Sequence, residues 1–379
     1  MMCVPANDVQ LRTPIESRIE GLDAFRGAAV AAMLLIINPG NAEAVWWPLR
    51  SAEWHGWTPA DLLFPIFLLI VGVTTELSRK DPWPILKRGL LLIVFGLLLN
   101  AFPFFWQLGH LRFPGVLQRI GIVYILSAFI AYAFEASTYQ MPRDRIEASA
   151  MRRLGDPRIA ILAIAAAILI VDWFALGFGP LEPPGDTVAA QVDRALIGSD
   201  HLWEKTRTWD PEGPLSTIPA VATTLIGIII ARWVRASKVK ELTIAGVFGL
   251  VAGWLWGLVF PINRSLWTSS FVIFSAGVAC IVLAFFVWTV DVKGRRGWAR
   301  PLIVLGLNPL VAFAGSVIVI RLLNVVRAGG VSLQELGYRT LFQPYFEAHV
   351  ASFLWALSFA LVWLAILWLL ARRGIAVRV

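Results

Sequence analysis

The stretch Thr268-Ser-Ser-Phe-Val-Ile-Phe-Ser-Ala-Gly-Val-Ala-Cys-Ile-Val-Leu-Ala-Phe-Phe-Val-Trp-Thr-Val290 contains no charged residue. Coiled as an α-helix at about 1.5 Å per residue, it is long enough to cross the hydrocarbon core of a bilayer, roughly 30 Å thick. Working outward, runs of the same character recur along the chain. They place membrane helices near 24–38, 60–77, 85–102, 115–134, 158–178, 217–234, 242–260, 268–290, 301–321 and 349–371. The composition agrees, with 58% apolar and 15% charged residues among 379. A soluble domain carries about 25% charge, so neither a soluble nor a disordered chain fits. The expected fold is all-α: a polytopic membrane bundle of about ten helices. It divides into an N-terminal segment 1–23, one transmembrane domain 24–371 and a tail 372–379. Residues 1–20 have no apolar core, so no cleavable signal peptide is expected there.

The loops between these runs alternate in charge. One set contains Arg79, Lys80, Lys87 and Arg88, then Arg143, Arg145, Arg152, Arg153 and Arg158. It continues with Arg232, Arg235, Lys238, Lys240, Lys293, Arg295, Arg296 and Arg300. With Arg12, Arg18, Arg26, Arg372, Arg373 and Arg378 near the termini, it holds 23 of the 33 basic residues, leaving 10 for the other set. Positive charge stays on the cytoplasmic side, so both termini are expected inside. Membrane sidedness therefore explains the net charge of +8, and no nucleic-acid partner is expected. Cys3 and Cys280 are too few for a disulfide framework or a zinc site. Cys280 reads as a small packing residue, and no metal is expected.

The outer set comprises 39–59, 103–114, 179–216, 261–267 and 322–348. It holds His55, His110 and His201, with His349 directly after its last segment, and is rich in Trp: Trp46, Trp47, Trp54, Trp57, Trp106, Trp203, Trp209 and Trp267. An interfacial aromatic belt accounts for most such indoles, and a stacking platform for a sugar ring is the alternative. The longest outer loop, 179–216, is expected to carry a turn at Pro183-Pro184-Gly185 and a short helix near Ala189–Ile197.

Polar side chains inside a membrane helix cost free energy unless partnered or wetted. Here Asn38, Asp61, Gln118, Arg119, Asp172, Asn263 and Arg264 fall at the outer ends of the helices, and Asn308 lies within the ninth, on its cytoplasmic half. Interhelical hydrogen bonds, with Asp61 paired to Arg119 or Arg264, would explain each alone. So many at one depth are better explained by a polar cavity. In Ser51-Ala-Glu-Trp-His-Gly-Trp-Thr-Pro-Ala-Asp61, Thr58 reads as an N-cap, Pro59 as the first helical residue and Asp61 as a first-turn acid. None of these roles explains His55, whose ordinary pKa near about 6.5 suits proton transfer.

No phosphate loop, dinucleotide fingerprint, HExxH, CxxC or hydrolase triad is present. Six ordered motifs instead resemble the heparan-alpha-glucosaminide N-acetyltransferase family. They are Arg18-Ile-Glu-Gly-Leu-Asp23-Ala-Phe-Arg26-Gly27 with Asn38-Pro-Gly40; Trp54-His-Gly56-Trp-Thr58-Pro-Ala-Asp61-Leu-Leu-Phe64-Pro65-Ile-Phe67; and Arg112-Phe-Pro114-Gly115-Val-Leu-Gln118-Arg119-Ile-Gly121. The others are Asp210-Pro211-Glu212-Gly213-Pro-Leu215, Pro261-Ile-Asn263-Arg264-Ser-Leu266-Trp267-Thr-Ser-Ser270 and Gly306-Leu-Asn308-Pro309-Leu. The resemblance implies a multi-pass acyltransferase of the bacterial inner membrane. It would move acetyl from cytoplasmic acetyl-CoA, the co-substrate, to an amino sugar or glycan at the periplasmic side. A non-enzymatic amino-sugar transporter or accessory membrane protein is the alternative. The expected surroundings are the lipid bilayer and that acceptor, with a homodimer as the assembly to test.

The family's catalytic histidine precedes Ala-x-Trp-x-Gly, and this chain has Ser51 there. His55 lies four residues on; in a helix the two would share a face one turn apart, whereas an extended segment would separate them by about 13 Å. The residues expected to act are His55, Asp61 and Asn38, with Ser51, Trp54, Gln118, Arg119, Asn263, Arg264, Trp267 and Asn308 around the substrate. In that scheme Asp61 orients the imidazole, and Asn38 or Asn263 binds the carbonyl oxygen.

Overall fold

A computed structural model describes residues 19–78, 81–106, 108–139 and 156–375. Cys3, Arg12, Arg18, Arg79, Lys80, Arg143, Arg145, Arg152, Arg153 and Arg378 lie outside the described residues. Helices follow one another as α1 (Glu20–Ile37), α2 (Leu63–Ser78), α3 (Pro82–Ala101), α4 (Val116–Tyr139) and α5 (Pro157–Gly177). A short α6 (Val188–Leu196) sits in the long outer loop, ahead of α7 (Pro214–Arg235), α8 (Val239–Trp256) and α9 (Ser269–Phe286), which runs on as a π-helical turn to Val292. The chain continues with α10 (Arg300–Leu307), α11 (Pro309–Val325), α12 (Leu333–Leu341) and α13 (Ala348–Arg372). Among the described residues the strands are two, Arg327–Ala328 paired antiparallel with Val331–Ser332. The protein is thus an all-α polytopic bundle.

Eight helices are long and apolar enough to cross a membrane, and the α10–α11 pair makes a ninth if counted as one span. The tenth expected span corresponds to α1, which begins at Glu20 rather than near residue 24. Its early charges are matched locally. Glu20 pairs with Arg296 at 2.9 Å, Asp23 with Arg26 at 3.1 Å, and the Asp291 carboxylate accepts from the Gly21 N–H at 3.1 and 3.2 Å. An anion at a helix N-terminus is favourable, so the helix extends past its apolar run.

The expected single helix over 301–321 is corrected by the structure. It is broken at Asn308, where α10 and α11 meet at 77°. Pro309 causes the break: it has no N–H for the turn before it, and it disfavours helical geometry in the preceding residue.

Between spans, lipid is as apolar as leucine, so close packing rather than the hydrophobic effect holds the helices together. At the α2–α7 crossing Gly72 and Gly227 face each other, and a Cβ on either would strike a carbonyl of the opposite helix. Gly27 and Gly306 do the same where α1 crosses α10. Around these crossings Leu68, Leu69, Val73, Leu225, Phe271 and Leu283 are fully buried, as is Cys280 within α9. Phe248 of α8 and Leu361 and Val362 of α13 point outward, as lipid-facing residues should.

Candidate functional site at the outer helix ends

The site begins with a local device. Thr58 is extended and precedes a 3₁₀ turn, Pro59–Leu62, that leads into α2. One oxygen of Asp61 accepts from Thr58 N–H at 3.0 Å, Thr58 Oγ1 at 3.1 Å and, across the loop, Ala52 N–H at 3.0 Å. The other lies 3.9 Å from Arg264 Nε. Asp61 therefore caps α2, as its position implied, and pins the loop carrying residues 52–58. Of the two cations considered as its partner, the structure supplies Arg264. Arg119 turns instead to the start of α7, donating to the Pro211 carbonyl at 2.7 Å and to Ser216 Oγ.

His55 sits in that pinned loop, which is bent rather than helical over 51–58. The helical spacing that would align Ser51 with His55 is therefore absent, and Ser51 is exposed. The His55 ring touches two groups far away in sequence. Asn263 Nδ2 lies 3.2 Å from Nδ1, and Glu182 Oε1 lies 3.1 Å from Nε2. Burial lowers the imidazole pKa from its ordinary value, and the Glu182 charge offsets part of that. The acid facing the imidazole is thus Glu182 from the 179–216 loop, whereas Asp61 is committed to the loop backbone and Arg264.

The other expected site residues divide into three groups. Asn38 ends α1 fully buried, and its Nδ2 donates to the Leu34 carbonyl at 2.8 Å. A carbonyl can only accept, so this contact fixes Nδ2 toward Leu34, and Oδ1 is left buried and without a partner. Arg119 is 1% exposed and keeps Nε and Nη1 unpartnered. Its guanidinium lies 5.0 Å from the Trp267 ring centre and 5.7 Å from that of Phe64. Trp267 is itself sealed against Phe64 and Phe271, and its indole N–H donates to Thr223 Oγ1. It forms a wall of the bundle and is closed to the outer surface. Its φ of 57° is left-handed, a strained conformation for an aromatic residue.

The second group is displaced from this centre. Gln118 is buried with Nε2 unpartnered, but its side chain packs beside Gly96 of α3. That is a different face of α4 from the one carrying Arg119. Asn308 belongs to the opposite end of the bundle. It lies at the α10–α11 break, donates to the Ile375 carbonyl at 3.3 Å, and adjoins Gly306, which packs on Asp23 at the start of α1. Fifteen helical residues from Asp23 to Asn38 put it about 22 Å from the outer cluster.

The third group is aromatic. The Trp54 ring meets Trp209 edge-on at 5.1 Å, Trp209 meets Trp203 at 5.8 Å, and the Trp54 N–H donates to the Leu181 carbonyl at 2.8 Å. Trp46, Trp47, Trp57 and Trp106 are exposed, in keeping with a belt. The three half-buried indoles beside His55 form a cluster instead.

The sequence reading missed a buried ion network beneath this cluster. Arg112 grips Asp210 with two hydrogen bonds of 2.7 and 2.6 Å and donates to Glu212 at 2.5 Å. Glu212 also lies 3.9 Å from Arg264, which links the network to Asp61. Burial pushes Glu212 up, but Arg112, Arg119 and Arg264 outweigh it and hold the carboxyl below its ordinary range. Asp210 moves the other way, raised by burial and by the charge of Glu212. Asp193 of α6 accepts from the Asp210 N–H at 2.9 Å, and burial raises its pKa to about 6. Asp172 stands apart, capping α9 by accepting from the Ser269 N–H at 2.9 Å. The Asp210-x-Glu212 pair, preceded in its loop by Trp203 and Trp209, was the available signal for this network. Nothing in the sequence connected Glu182 with His55. Among the described residues no three His, Cys, Asp or Glu side chains converge to hold a metal ion.

Residues 18–141 match the family model described as heparan-alpha-glucosaminide N-acetyltransferase, catalytic. The chain is 26% identical over 361 residues to heparan-alpha-glucosaminide N-acetyltransferase of Homo sapiens, covering 79% of this chain and 52% of that protein. It is also 26% identical over 370 residues to the Mus musculus protein of the same name, covering 81% and 54%. The chain therefore spans about half the length of these curated relatives.

Proposed function

We infer, from this chain's similarity to the heparan-alpha-glucosaminide N-acetyltransferases, that it is a membrane acyltransferase acting on an amino sugar or glycan. Acetyl-CoA is the donor on the cytoplasmic side and the acceptor amine binds at the opposite face. The orientation rests on the 23 basic residues of one loop set against 10 of the other, and the proposed location of this multi-pass protein is the cytoplasmic membrane. The observation that carries the chemistry is the set of buried, unpartnered polar atoms at the outer helix ends, Asn38 Oδ1 with Arg119 Nε and Nη1. Each such group costs about 1–3 kcal/mol if left unmatched. A site that exchanges substrates is the natural reason to keep them.

The free atoms differ in what they can bind. Arg119 offers N–H groups, which suit a carbonyl oxygen as negative charge develops on it. Asn38 offers its free Oδ1 as an acceptor, which suits an N–H or O–H of the sugar. His55 and Glu182 supply proton transfer beside the Trp54, Trp209 and Trp203 rings, which suit the apolar face of a pyranose. Asp61 and Arg264 act through position, fixing the loop that carries His55. The second reading, an amino-sugar transporter or accessory protein, is favoured by one observation: the family's histidine position is the exposed Ser51. The two readings diverge in a simple assay. The purified protein in detergent should consume acetyl-CoA at a rate that rises with added glucosamine and yield N-acetylglucosamine. Glucosamine binding with no acetyl-CoA consumption at any concentration would favour the second reading.

A further inference from the structure

We propose that Glu182 is the group that takes the acceptor's proton, and that Asn263 positions His55 as a neutral imidazole with its proton on Nε2. The assignment rests on the acetyl-transfer reading and goes beyond it by dividing the roles within the site.

The Leu266 N–H donates to Asn263 Oδ1 at 2.9 Å, which fixes which end of the amide is which. Nδ2 must then face His55, and it does, 3.2 Å from Nδ1. An amide nitrogen donates and cannot accept, so Nδ1 carries a lone pair and no proton. The ring proton of a neutral His55 is therefore on Nε2, where it donates to Glu182 Oε1 at 3.1 Å. An imidazolium would set two donors against each other at Nδ1, and partial burial opposes the charge as well. In this arrangement neither ring nitrogen has a free lone pair. His55 is a hydrogen-bond donor, and the nearest base is the carboxylate. Glu182 is also well placed to release a proton, since its side chain is 64% exposed.

The step balances without any further reactant. The lone pair of the neutral acceptor amine attacks the acetyl carbonyl carbon, the C–N bond forms, and the carbonyl π pair moves onto oxygen. The nitrogen then gives one proton to the Glu182 carboxylate, whose place on Nε2–H the oxyanion can take. When the carbonyl reforms, the C–S bond breaks and CoA leaves as its thiolate, which needs no proton from the site.

Two readouts test the proposal. In ¹⁵N-histidine NMR spectra of the detergent-solubilised full chain, the His55 signal is identified by its loss in His55→Gln. The expected pattern is the Nε2–H tautomer, staying neutral to a lower pH than an ordinary imidazole. Asn263→Asp keeps an acceptor for Leu266 but puts a second acceptor against Nδ1, so the His55 pKa should rise. Glu182→Gln should lower it. An Nδ1–H tautomer, or an unmoved pKa in Asn263→Asp, overturns the positioning role. In the transfer assay, Glu182→Gln should lose at least about 100-fold in kcat, while Glu182→Asp recovers part of it. A wild-type chain that transfers acetyl while Glu182→Gln runs at full rate overturns the base assignment alone. A wild-type chain that never transfers acetyl removes the reading beneath it, while the NMR result still decides the role of Asn263.

Discussion

Replacing His55 by alanine should lower acetyl transfer to glucosamine by about 100-fold or more, the usual cost of removing a positioned proton-transfer group or oxyanion donor. Ser51→Ala should keep most of the rate. The contrast follows from the loop. Ser51 is exposed and in a non-helical stretch, whereas His55 is held between Asn263 and Glu182. A serine hydroxyl is too weak a base to act unaided near neutral pH. Product formation measured on both variants, each checked for a single monodisperse peak by size-exclusion chromatography, decides the matter. Equal rates for His55→Ala and the parent would remove the imidazole from the chemistry.

The largest effect on stability should come from Arg112→Ala. That change leaves Asp210 and Glu212, both nearly inaccessible, without the guanidinium that binds them through three short hydrogen bonds. Removing one partner from a buried charge group costs about 3–5 kcal/mol. The pH dependence has a definite sign. Glu212 is held below its ordinary range in the folded protein, so its contribution is present above that range and is lost as pH falls through the folded value. Without Arg112 the carboxylates protonate more readily, and the deficit should shrink toward acid pH. Thermal unfolding of both proteins at neutral and acid pH measures this. A variant that melts with the parent at neutral pH would mean that the network does not hold the outer loop.

The elements that could be read from sequence were those coded by local signals. Apolar runs located the spans, and Thr58-Pro59-x-Asp61 located the start of α2 because capping involves neighbours only three residues apart. The turn and short helix of the outer loop appeared as a 3₁₀ turn at Pro184–Asp186 and α6 at Val188–Leu196. The break at Asn308-Pro309 was written in the proline but masked by apolar residues on both sides. The pairing partners were not legible. His55 meets Asn263 across 208 positions and Glu182 through a loop with no periodicity, so neither contact leaves a trace in spacing. Trp267 lies within an outer loop motif by sequence, yet folds under it, because its left-handed backbone turns the indole inward against Arg119.

Transfer of acetyl across a membrane is measurable in sealed proteoliposomes. Liposomes carrying the protein in one orientation, verified by protease protection, are loaded with acetyl-CoA on the side of the basic loops, and glucosamine is added only to the opposite side. N-acetylglucosamine should accumulate in the glucosamine compartment, with free CoA retained on the other side. Unacetylated glucosamine entering the liposomes while acetyl-CoA stays intact would contradict transmembrane transfer.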